Sequence, residues 1–176
     1  MQDLEIYENS YLIIGGPKTN KSEVSIKLSK KLNYKLINLD REKHSYMGDF
    51  TDFDSSKYYN LLDKGVEKAI NYIHKYEMQH LSYVLDNIYS NVIIDFGNTY
   101  TLINNKELLN KIKLFKNIVL LIPNDELIKD SDEITKKLYN NKINKELATI
   151  TINMSNKNVD EILVEILNYK KFKEIL

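Results

Sequence analysis

The chain has 176 residues, with 25 basic residues, 25 acidic residues and no cysteine. This length suits one α/β domain with its own core, and the lack of cysteine excludes disulfides and thiolate metal sites. Balanced charge argues against nucleic-acid binding, which favours a basic excess, and without a leader or a long apolar run we expect a cytoplasmic protein that does not bind membranes.

Apolar runs and helical patterns alternate along the chain after residues 1–9, which are polar and give no prediction. Short apolar runs that stop at turn residues predict strands over residues 11–14, 91–96, 118–122 and 149–152, and an alternating pattern that ends at Asp40 predicts a strand over residues 34–39. Apolar residues at helical spacing predict helices over residues 22–32, 58–88, 105–114, 125–138 and 159–167, the second with a weak point at 77–79. The poor pattern of residues 41–56 predicts a loop with one short helix at most. Asn124 and Asn158 are expected to cap the helices that follow them.

Five apolar strands joined by helices predict the fold class, an α/β three-layer sandwich around a five-stranded parallel sheet. Right-handed crossovers place the carboxyl ends of all parallel strands at one edge, where ligands bind. We expect this edge to collect Gly15, Asp40, Gly97 and Pro123. No repeat or linker divides the chain, so we expect a single domain over residues 1–176.

The segment between the first strand and the first helix carries a phosphate-binding motif. It matches the Walker A pattern G-x-x-x-x-G-K-[ST] except at the second glycine, which Asn20 replaces. Because backbone N–H groups at a helix N-terminus attract phosphate, Lys21 is expected to bind the β- and γ-phosphates of ATP, and Ser22 to ligate Mg²⁺. The motif predicts a P-loop NTPase fold whose nucleotide site consists of Gly15, Gly16, Pro17, Lys18, Thr19, Asn20, Lys21, Ser22 and Glu23.

Asn20 is the departure from this motif. Glycine at its position allows positive φ and a close backbone approach to phosphate. Asparagine tolerates the left-handed region better than most residues, although its side chain adds bulk beside the phosphates. Two other interpretations stay open, namely a chance Lys-Ser pair after an ordinary turn and a degenerate loop that holds phosphate poorly.

Acidic residues outside the loop are further candidates. Asp95 ends an apolar strand, as a carboxylate that holds Mg²⁺ through water does, although aspartate is also a common turn former there. Glu77 and His80 lie three residues apart on one helix face. They form either a substrate-facing cluster or, more commonly, part of a solvated face.

Four segments resemble the shikimate-kinase-like branch of the nucleoside-monophosphate-kinase group of P-loop proteins. They are YLIIGGPKTNKSEVSIKLSKKLNYKLINLD, NVIIDFGNTY, NIVLLIPNDELI and TITINMSNKNVDEILVEIL. The resemblance implies ATP-dependent phosphorylation of a small hydroxylated molecule, with substrate-side helices at about 41–90 and a lid at about 124–145. It also implies that Asp40 binds the substrate hydroxyl as base or orienter, and that Gly97 approaches the substrate with its backbone.

The charged residues depart from this family pattern. Asn38 lies two residues before Asp40, where the family usually has an acidic residue that helps to hold magnesium. Arg41 is the only arginine of the chain, whereas the family uses arginines to fix the substrate carboxylate and to contact phosphates from the lid. Lysines such as Lys136 and Lys137 supply charge without a planar fork. These departures argue against shikimate as the acceptor.

The first hypothesis is a small-molecule kinase that uses ATP and Mg²⁺. Lys21 and Asp40 would be catalytic, Glu77 would join the acceptor site, and Ser22 and Asp95 would hold the metal. The sequence does not identify the acceptor or the oligomeric state.

A second hypothesis is a degenerate protein that binds ATP or ADP without turnover, which Asn20, Asn38 and the missing lid arginines favour. A third and weaker hypothesis is an ATPase or GTPase switch. Residues 141–144 resemble a guanine-binding NKxD motif, but they end in asparagine and precede the last strand.

Overall fold

The computed structural model describes residues 2–173, and the side chains of residues 5–169. Its central layer is a five-stranded sheet made of β1 (Tyr11–Gly15), β2 (Lys35–Asn38), β3 (Val92–Asp95), β4 (Asn117–Ile122) and β5 (Ile150–Asn153). All neighbouring strands are parallel, in the order β2-β3-β1-β4-β5. The helices are α1 (Gln2–Asn9), α2 (Lys21–Leu32), α3 (Leu39–Gly48), α4 (Ser55–Asp63), α5 (Val66–Asp86), α6 (Lys106–Ile112), α7 (Asp125–Lys129), α8 (Glu133–Tyr139), α9 (Lys142–Leu147) and α10 (Val159–Lys173).

Helices cover both faces of the sheet, which confirms the predicted three-layer α/β fold. On one face, strand residues such as Ile13 and Val119 pack with α2 and α10. On the other face, Leu12 and Ile94 pack with residues of α3, α5, α6 and α9. Every residue of β1 and β3 is buried, which is why their sequences are continuous apolar runs without alternation.

The register of the sheet brings the ends of β1, β2 and β3 together. Asp95 is level with Asn38 of β2 and with Ile13 of β1. The phosphate loop therefore begins at the edge of the sheet where Asp95 and Asn38 end their strands. This arrangement follows from parallel pairing, and it places the candidate site there.

Several helix boundaries differ from the sequence predictions. Residues 2–9 form α1, where no element was predicted, and the segment 41–56, where a loop with at most one short helix was predicted, contains most of the ten-residue helix α3 and the start of α4. The predicted strand 34–39 ends at Asn38, so Asp40 lies in the first turn of α3. Asn38 itself caps α3, because its Oδ1 accepts a hydrogen bond from the backbone N–H of Arg41 at 2.9 Å.

The two long predicted helices are also wrong in detail. The segment 58–88 breaks at Gly65, whose φ of 133° is unsuited to an L side chain, and α5 runs without interruption through the expected weak point at 77–79. The predicted helix 125–138 is split between α7 and α8. The expected caps are present: Asn124 caps α7, and Asn158 and Glu161 exchange hydrogen bonds at the start of α10.

Candidate active site

The loop between β1 and α2 contains two non-glycine residues in the left-handed region. Lys18 has a φ of 59°, and Asn20, the residue before α2, has a φ of 50° and a ψ of 22°. A left-handed backbone costs a residue with a Cβ about 1–2 kcal/mol, and asparagine tolerates it better than most. Asn20 thus makes the turn that a glycine would make at this position.

Gly15 begins the loop where a side chain would not fit. Its φ is 157°, and an added Cβ would lie 2.9 Å from the carbonyl oxygen of Leu121 and 3.0 Å from Oγ1 of Thr19. The Thr19 hydroxyl in turn donates a hydrogen bond to the carbonyl oxygen of Gly16 at 2.7 Å. Gly15 thus pairs closely with Leu121 of β4, and the Thr19 hydrogen bond stabilises the loop internally.

Lys21 lies at the start of α2 with its side chain buried in the loop. Its Nζ donates to Oδ1 of Asn98 at 2.8 Å and, at 3.4 Å, to the carbonyl oxygen of Gly16. Burial lowers the pKa of Lys21, and the carboxylates of Asp95 and Asp40 oppose this shift. A buried ammonium group whose protein partners are neutral oxygens is suited to bind an anion.

Ser22 and Asp95 lie within hydrogen-bonding distance at the centre of the site. The Ser22 hydroxyl donates to Oδ2 of Asp95 at 2.7 Å, and the Asn38 side-chain amide donates to the same oxygen at 2.6 Å. Burial raises the pKa of Asp95, while the hydrogen bond from Ser22 and the charge of Lys21 counteract that effect. Asn38, at the position where an acid was expected, therefore donates a hydrogen bond to Asp95 and adds no negative charge.

A cleft of about 400 Å³ opens over this loop. Its lining brings together the loop residues from Pro17 to Glu23, the two carboxylates Asp40 and Asp95, and Asn98. Backbone N–H groups of the first turn of α2 have no partner inside the helix, so this end of the cleft is suited to an anion.

A chain of charged and polar groups runs from Asp40 away from the loop. Lys43 Nζ lies 3.2 Å from Oδ1 of Asp40 and 3.3 Å from Oε1 of Glu77, and the Thr99 hydroxyl donates to the same Glu77 oxygen at 2.6 Å. Burial acts to lower the pKa of Lys43, but the two carboxylates outweigh it and raise that pKa. Glu77 is wholly buried, and burial raises its pKa.

Gly97 lies directly against the Asp40 carboxylate, where this row of charged and polar side chains begins. A Cβ added to Gly97 would lie 2.3 Å from Oδ1 of Asp40 and 2.7 Å from Cδ2 of Tyr100. The absence of a side chain at Gly97 therefore lets the Asp40 carboxylate approach the end of β3. Gly97 is not among the residues that line the cleft over the loop.

A second cavity of about 580 Å³ adjoins the cleft. Pro17 and Asn98 line both of them. Lys43 and Glu77 lie in the wall of the second cavity, while Asp40 lies in the wall of the first. The Asp40–Lys43 ion pair consequently lies between two neighbouring spaces.

Helix α8, which lies in the segment where a lid was expected, lines the second cavity and contacts the phosphate loop. Its residues Ile134, Thr135 and Leu138 line the second cavity. Tyr139 packs its ring on Gly16, where an added Cβ would lie 2.3 Å from the ring carbons, and its hydroxyl donates to the carbonyl oxygen of Pro17 at 2.5 Å. Sequence analysis did not single out Tyr139.

The two lysines expected to replace the lid arginines point elsewhere. Lys136 pairs with Glu133 at 3.5 Å and Lys137 pairs with Glu67 at 3.3 Å. Neither lysine lines the cleft or the second cavity.

His80 is buried and serves the packing of this region. Its Nδ1 lies 2.6 Å from the hydroxyl of Tyr100, and its ring is tilted against that of Tyr46 with 4.7 Å between centroids. Burial and the charge of Lys43 lower the pKa of His80 to about 4, so the ring is neutral at pH 7. The expectation of a solvated face at Glu77 and His80 is wrong, because both side chains are buried.

The predicted site residues thus fall into two groups. Lys21, Ser22 and Asp95 meet Asp40 around the cleft, and Glu77 joins Asp40 through Lys43. Sequence reasoning missed Lys43 because the one short helix allowed in residues 41–56 was not positioned; a helix that begins at Leu39 would have placed Lys43 one turn after Asp40. Asn98 could have been found, since it follows Gly97 at the sheet edge where Lys21 was expected.

No family model and no curated protein matches the sequence. The fold is nevertheless that of P-loop kinases, as comparison with solved structures shows. A shikimate kinase from Aquifex aeolicus is 22% identical, with a TM-score of 0.65 over 94% of this chain and 98% of the other. A shikimate kinase from Acinetobacter baumannii in complex with shikimate is 13% identical over the whole of both chains, with a TM-score of 0.67. A dephospho-CoA kinase from Campylobacter jejuni is 12% identical over 94% of this chain and 97% of the other, with a TM-score of 0.57.

None of the helices within residues 2–173 has the length and apolar character needed to cross a bilayer.

Proposed function

We propose that this protein is an ATP-dependent phosphotransferase that transfers the γ-phosphoryl group of ATP to a hydroxyl group of a small molecule. The observation that carries this proposal is the pair of adjoining cavities that share Pro17 and Asn98. One contains the phosphate loop, and the other has the size of a small-molecule site. Asp40 lies at their junction, where a hydroxyl group in the second cavity would meet the terminal phosphate.

Each side chain of the site would have a role that follows from its position. Lys21 would bind the β- and γ-phosphates, together with the backbone N–H groups of the first turn of α2. Asp40 would accept a hydrogen bond from the acceptor hydroxyl and take its proton as the oxygen attacks phosphorus and ADP leaves. Lys43 would hold the Asp40 carboxylate in place through the 3.2 Å ion pair.

Ser22 and Asp95 fit a magnesium ion. Both offer hard oxygen donors, and they already lie 2.7 Å apart. The described residues contain no cluster of three or more histidine or acidic side chains suited to a metal. This agrees with Mg²⁺, which needs few protein ligands and completes its shell with water and substrate phosphates. When bound, Mg²⁺ supplies positive charge that neutralises the transferring phosphates.

A second candidate function, nucleotide binding without turnover, is favoured by a different observation. The Asn38 amide replaces a negative charge beside Asp95 and donates to it at 2.6 Å, which leaves one carboxylate fewer for metal binding. Arg41, the sole arginine, is exposed on α3 and is not among the residues lining either cavity. Such a protein would bind ATP or ADP and respond to no acceptor.

The test is ADP release by the purified protein in Mg²⁺-ATP, with and without pools of sugars, polyols, nucleosides and aromatic alcohols. We expect at least one pool to raise the rate, and removal of Mg²⁺ to abolish the increase. Asp40→Asn should reduce the acceptor-dependent rate by roughly 10²-fold or more. The matched control Asp49→Asn alters an exposed aspartate at the end of the same helix and should leave the rate unchanged. ATP binding with no acceptor response in any pool would favour the second candidate function.

Three sequence expectations stay predictions here: the single domain over residues 1–176, the motion of residues 124–145 as a lid, and the cytoplasmic location.

A further inference from the structure

The charges around the second cavity differ from those that an anionic acceptor needs. We propose that the acceptor is an alcohol with an apolar body and no anionic group, and that the site tolerates a neutral or an amine-bearing molecule. This inference rests on the proposed function because it assumes that the bound molecule accepts a phosphoryl group. Its evidence is the lining of the second cavity alone.

Most of the wall is apolar. Side chains from α4, α5 and α8 form it, namely Leu62, Val66, Ala69, Ile70, Ile73 and Leu138. Helix α4 has no buried residue although it carries several apolar ones. Two of its apolar side chains, Tyr58 and Leu62, instead line this cavity. An acceptor with an apolar body would bury them, which is favourable in proportion to the area removed from water.

The cation in this wall is already neutralised. Among the described residues that line the cavity, Lys43 is the only basic one. It is shared between Asp40 at 3.2 Å and Glu77 at 3.3 Å. A carboxylate or phosphate on the acceptor would have to compete with two carboxylates for a single ammonium group.

The other charged lining residues are acidic. Asp132 and Glu133 at the start of α8 join Glu77 in the wall. Asp132 and Glu133 are exposed, so water and salt weaken their effect, whereas Glu77 is buried and its charge is screened less. An anionic group in the cavity therefore finds no cation among the described lining residues except Lys43, which is already paired, whereas the nearby carboxylates attract an ammonium group.

Glu77 also has a buried oxygen that lacks a hydrogen-bond donor. Its Oε1 accepts hydrogen bonds from Lys43 and Thr99, whereas Oε2 is buried and has no hydrogen-bond partner among the described residues. A buried unpaired acceptor is costly. A small rotation of Glu77 toward the cavity would let a hydroxyl or ammonium group of the acceptor supply the missing donor, which an anionic group cannot do.

The experiment is a binding comparison of three probes of one skeleton. They are 4-methylbenzyl alcohol, 4-(aminomethyl)benzyl alcohol and 4-(hydroxymethyl)benzoate, which differ in the charge opposite the hydroxyl group. Each is titrated into the full-length protein without nucleotide, and dissociation constants are taken from the backbone amide NMR signals of Ala69 and Ile73. We expect the benzoate to bind at least tenfold more weakly than the neutral alcohol, and the amine to bind at least as tightly.

A variant that adds a positive charge to the cavity provides a second test. Leu62 lines the cavity at its mouth and is 38% exposed, so Leu62→Arg should fold, and a cation suits the last turn of α4. This variant should improve benzoate binding at least tenfold relative to the matched control Leu62→Gln.

Two results would overturn the proposal: wild-type affinity for the benzoate equal to or above that for the neutral alcohol, or no response of the Ala69 and Ile73 signals to any probe. Because no nucleotide is present, a failure of phosphoryl transfer would leave these affinities unchanged. The two failures are therefore distinguishable.

Discussion

Replacing Gly97 by alanine tests whether this glycine is needed for Asp40 to approach the sheet. The added Cβ would lie 2.3 Å from Oδ1 and 2.7 Å from Cγ of Asp40, and 2.7 Å from Cδ2 of Tyr100. Ordinary contacts between carbon atoms are about 3.5–4.0 Å long, so neighbours must move by roughly 1 Å. The Asp40 side chain is 42% exposed and can rotate outward.

Tyr100 has less freedom than Asp40. Its ring is fully buried, and its hydroxyl is held 2.6 Å from His80 Nδ1. Overpacking of this kind costs about 1–3 kcal/mol, which in a domain of this size lowers the Tm by roughly 2–12 °C. We expect Gly97→Ala to lower stability within this range and to displace Asp40 from the cleft.

The assay is urea and thermal unfolding of the wild type, Gly97→Ala, Asp40→Ala and the double variant. In the Asp40→Ala background the alanine at position 97 no longer meets the carboxylate, although Tyr100 still lies close to it, so its cost should fall by at least about 0.5 kcal/mol. Gly48→Ala is the control, because an added Cβ there has no atom within 4 Å; its effect should be neutral or slightly stabilising. Gly97→Ala with wild-type stability, or an equal cost in both backgrounds, would refute this reasoning.

Three further predictions concern Asn20, Tyr139 and His80. At a φ of 50°, Asn20→Ala should be about 1 kcal/mol less stable than Asn20→Gly in ATP-saturated thermal unfolding, and equal stability would contradict the left-handed turn. Tyr139→Ala should weaken ATP binding measured by calorimetry, since its ring packs on Gly16, whereas Tyr139→Phe should weaken it less; identical losses would mean that only the hydroxyl bond to Pro17 matters. His80 has a folded pKa of about 4 against an ordinary value of 6.5, so the unfolded chain binds more protons between these values and stability falls as the pH drops from 6.5 towards 4. Urea unfolding of His80→Gln should show a shallower loss over this range, and an unchanged slope would be inconsistent with a neutral buried His80.

The sheet and the phosphate loop could be predicted because their signals are local. Strands buried on both faces are continuous apolar runs, and the loop carries its chemistry within eight consecutive residues from Gly15 to Ser22. Asp95 could be placed beside that loop because parallel strands end at one edge. Its hydrogen bond to Ser22 is a consequence of this register.

The helices of the second cavity could not be predicted from periodicity. Helix α3 buries only Leu39 and Met47, so residues 41–56 show no apolar stripe. The break between α4 and α5 depends on the positive φ of Gly65, which lies inside an apolar repeat that runs across it. The apolar residues Tyr58 and Leu62 of α4 line the second cavity and are not buried in the core. A hydrophobic pattern in the sequence does not distinguish these two environments.

The remaining contacts of the site join distant parts of the chain. Lys43 meets Glu77 across 34 positions, Lys21 meets Asn98 across 77, and Tyr139 reaches Pro17 across 122. No local pattern encodes such pairs. The Lys43–Glu77 pair follows from the packing of α3 against α5, the Tyr139–Pro17 pair from the position of α8 over the loop, and the Lys21–Asn98 pair from the neighbouring ends of β1 and β3.

The most direct test of the central claim is thermal unfolding of the wild type and Lys21→Ala, each with and without saturating Mg²⁺-ATP. ATP at about 100 times its dissociation constant stabilises the fold by roughly 2.7 kcal/mol, a Tm increase of about 5–11 °C in a domain of this size. We predict this increase for the wild type, in which the ammonium group of Lys21 lies buried in the phosphate loop. We predict that the increase is lost in Lys21→Ala, which lacks this group. An unchanged wild-type Tm with ATP, or an equal increase in both proteins, would contradict a nucleotide site in the phosphate loop.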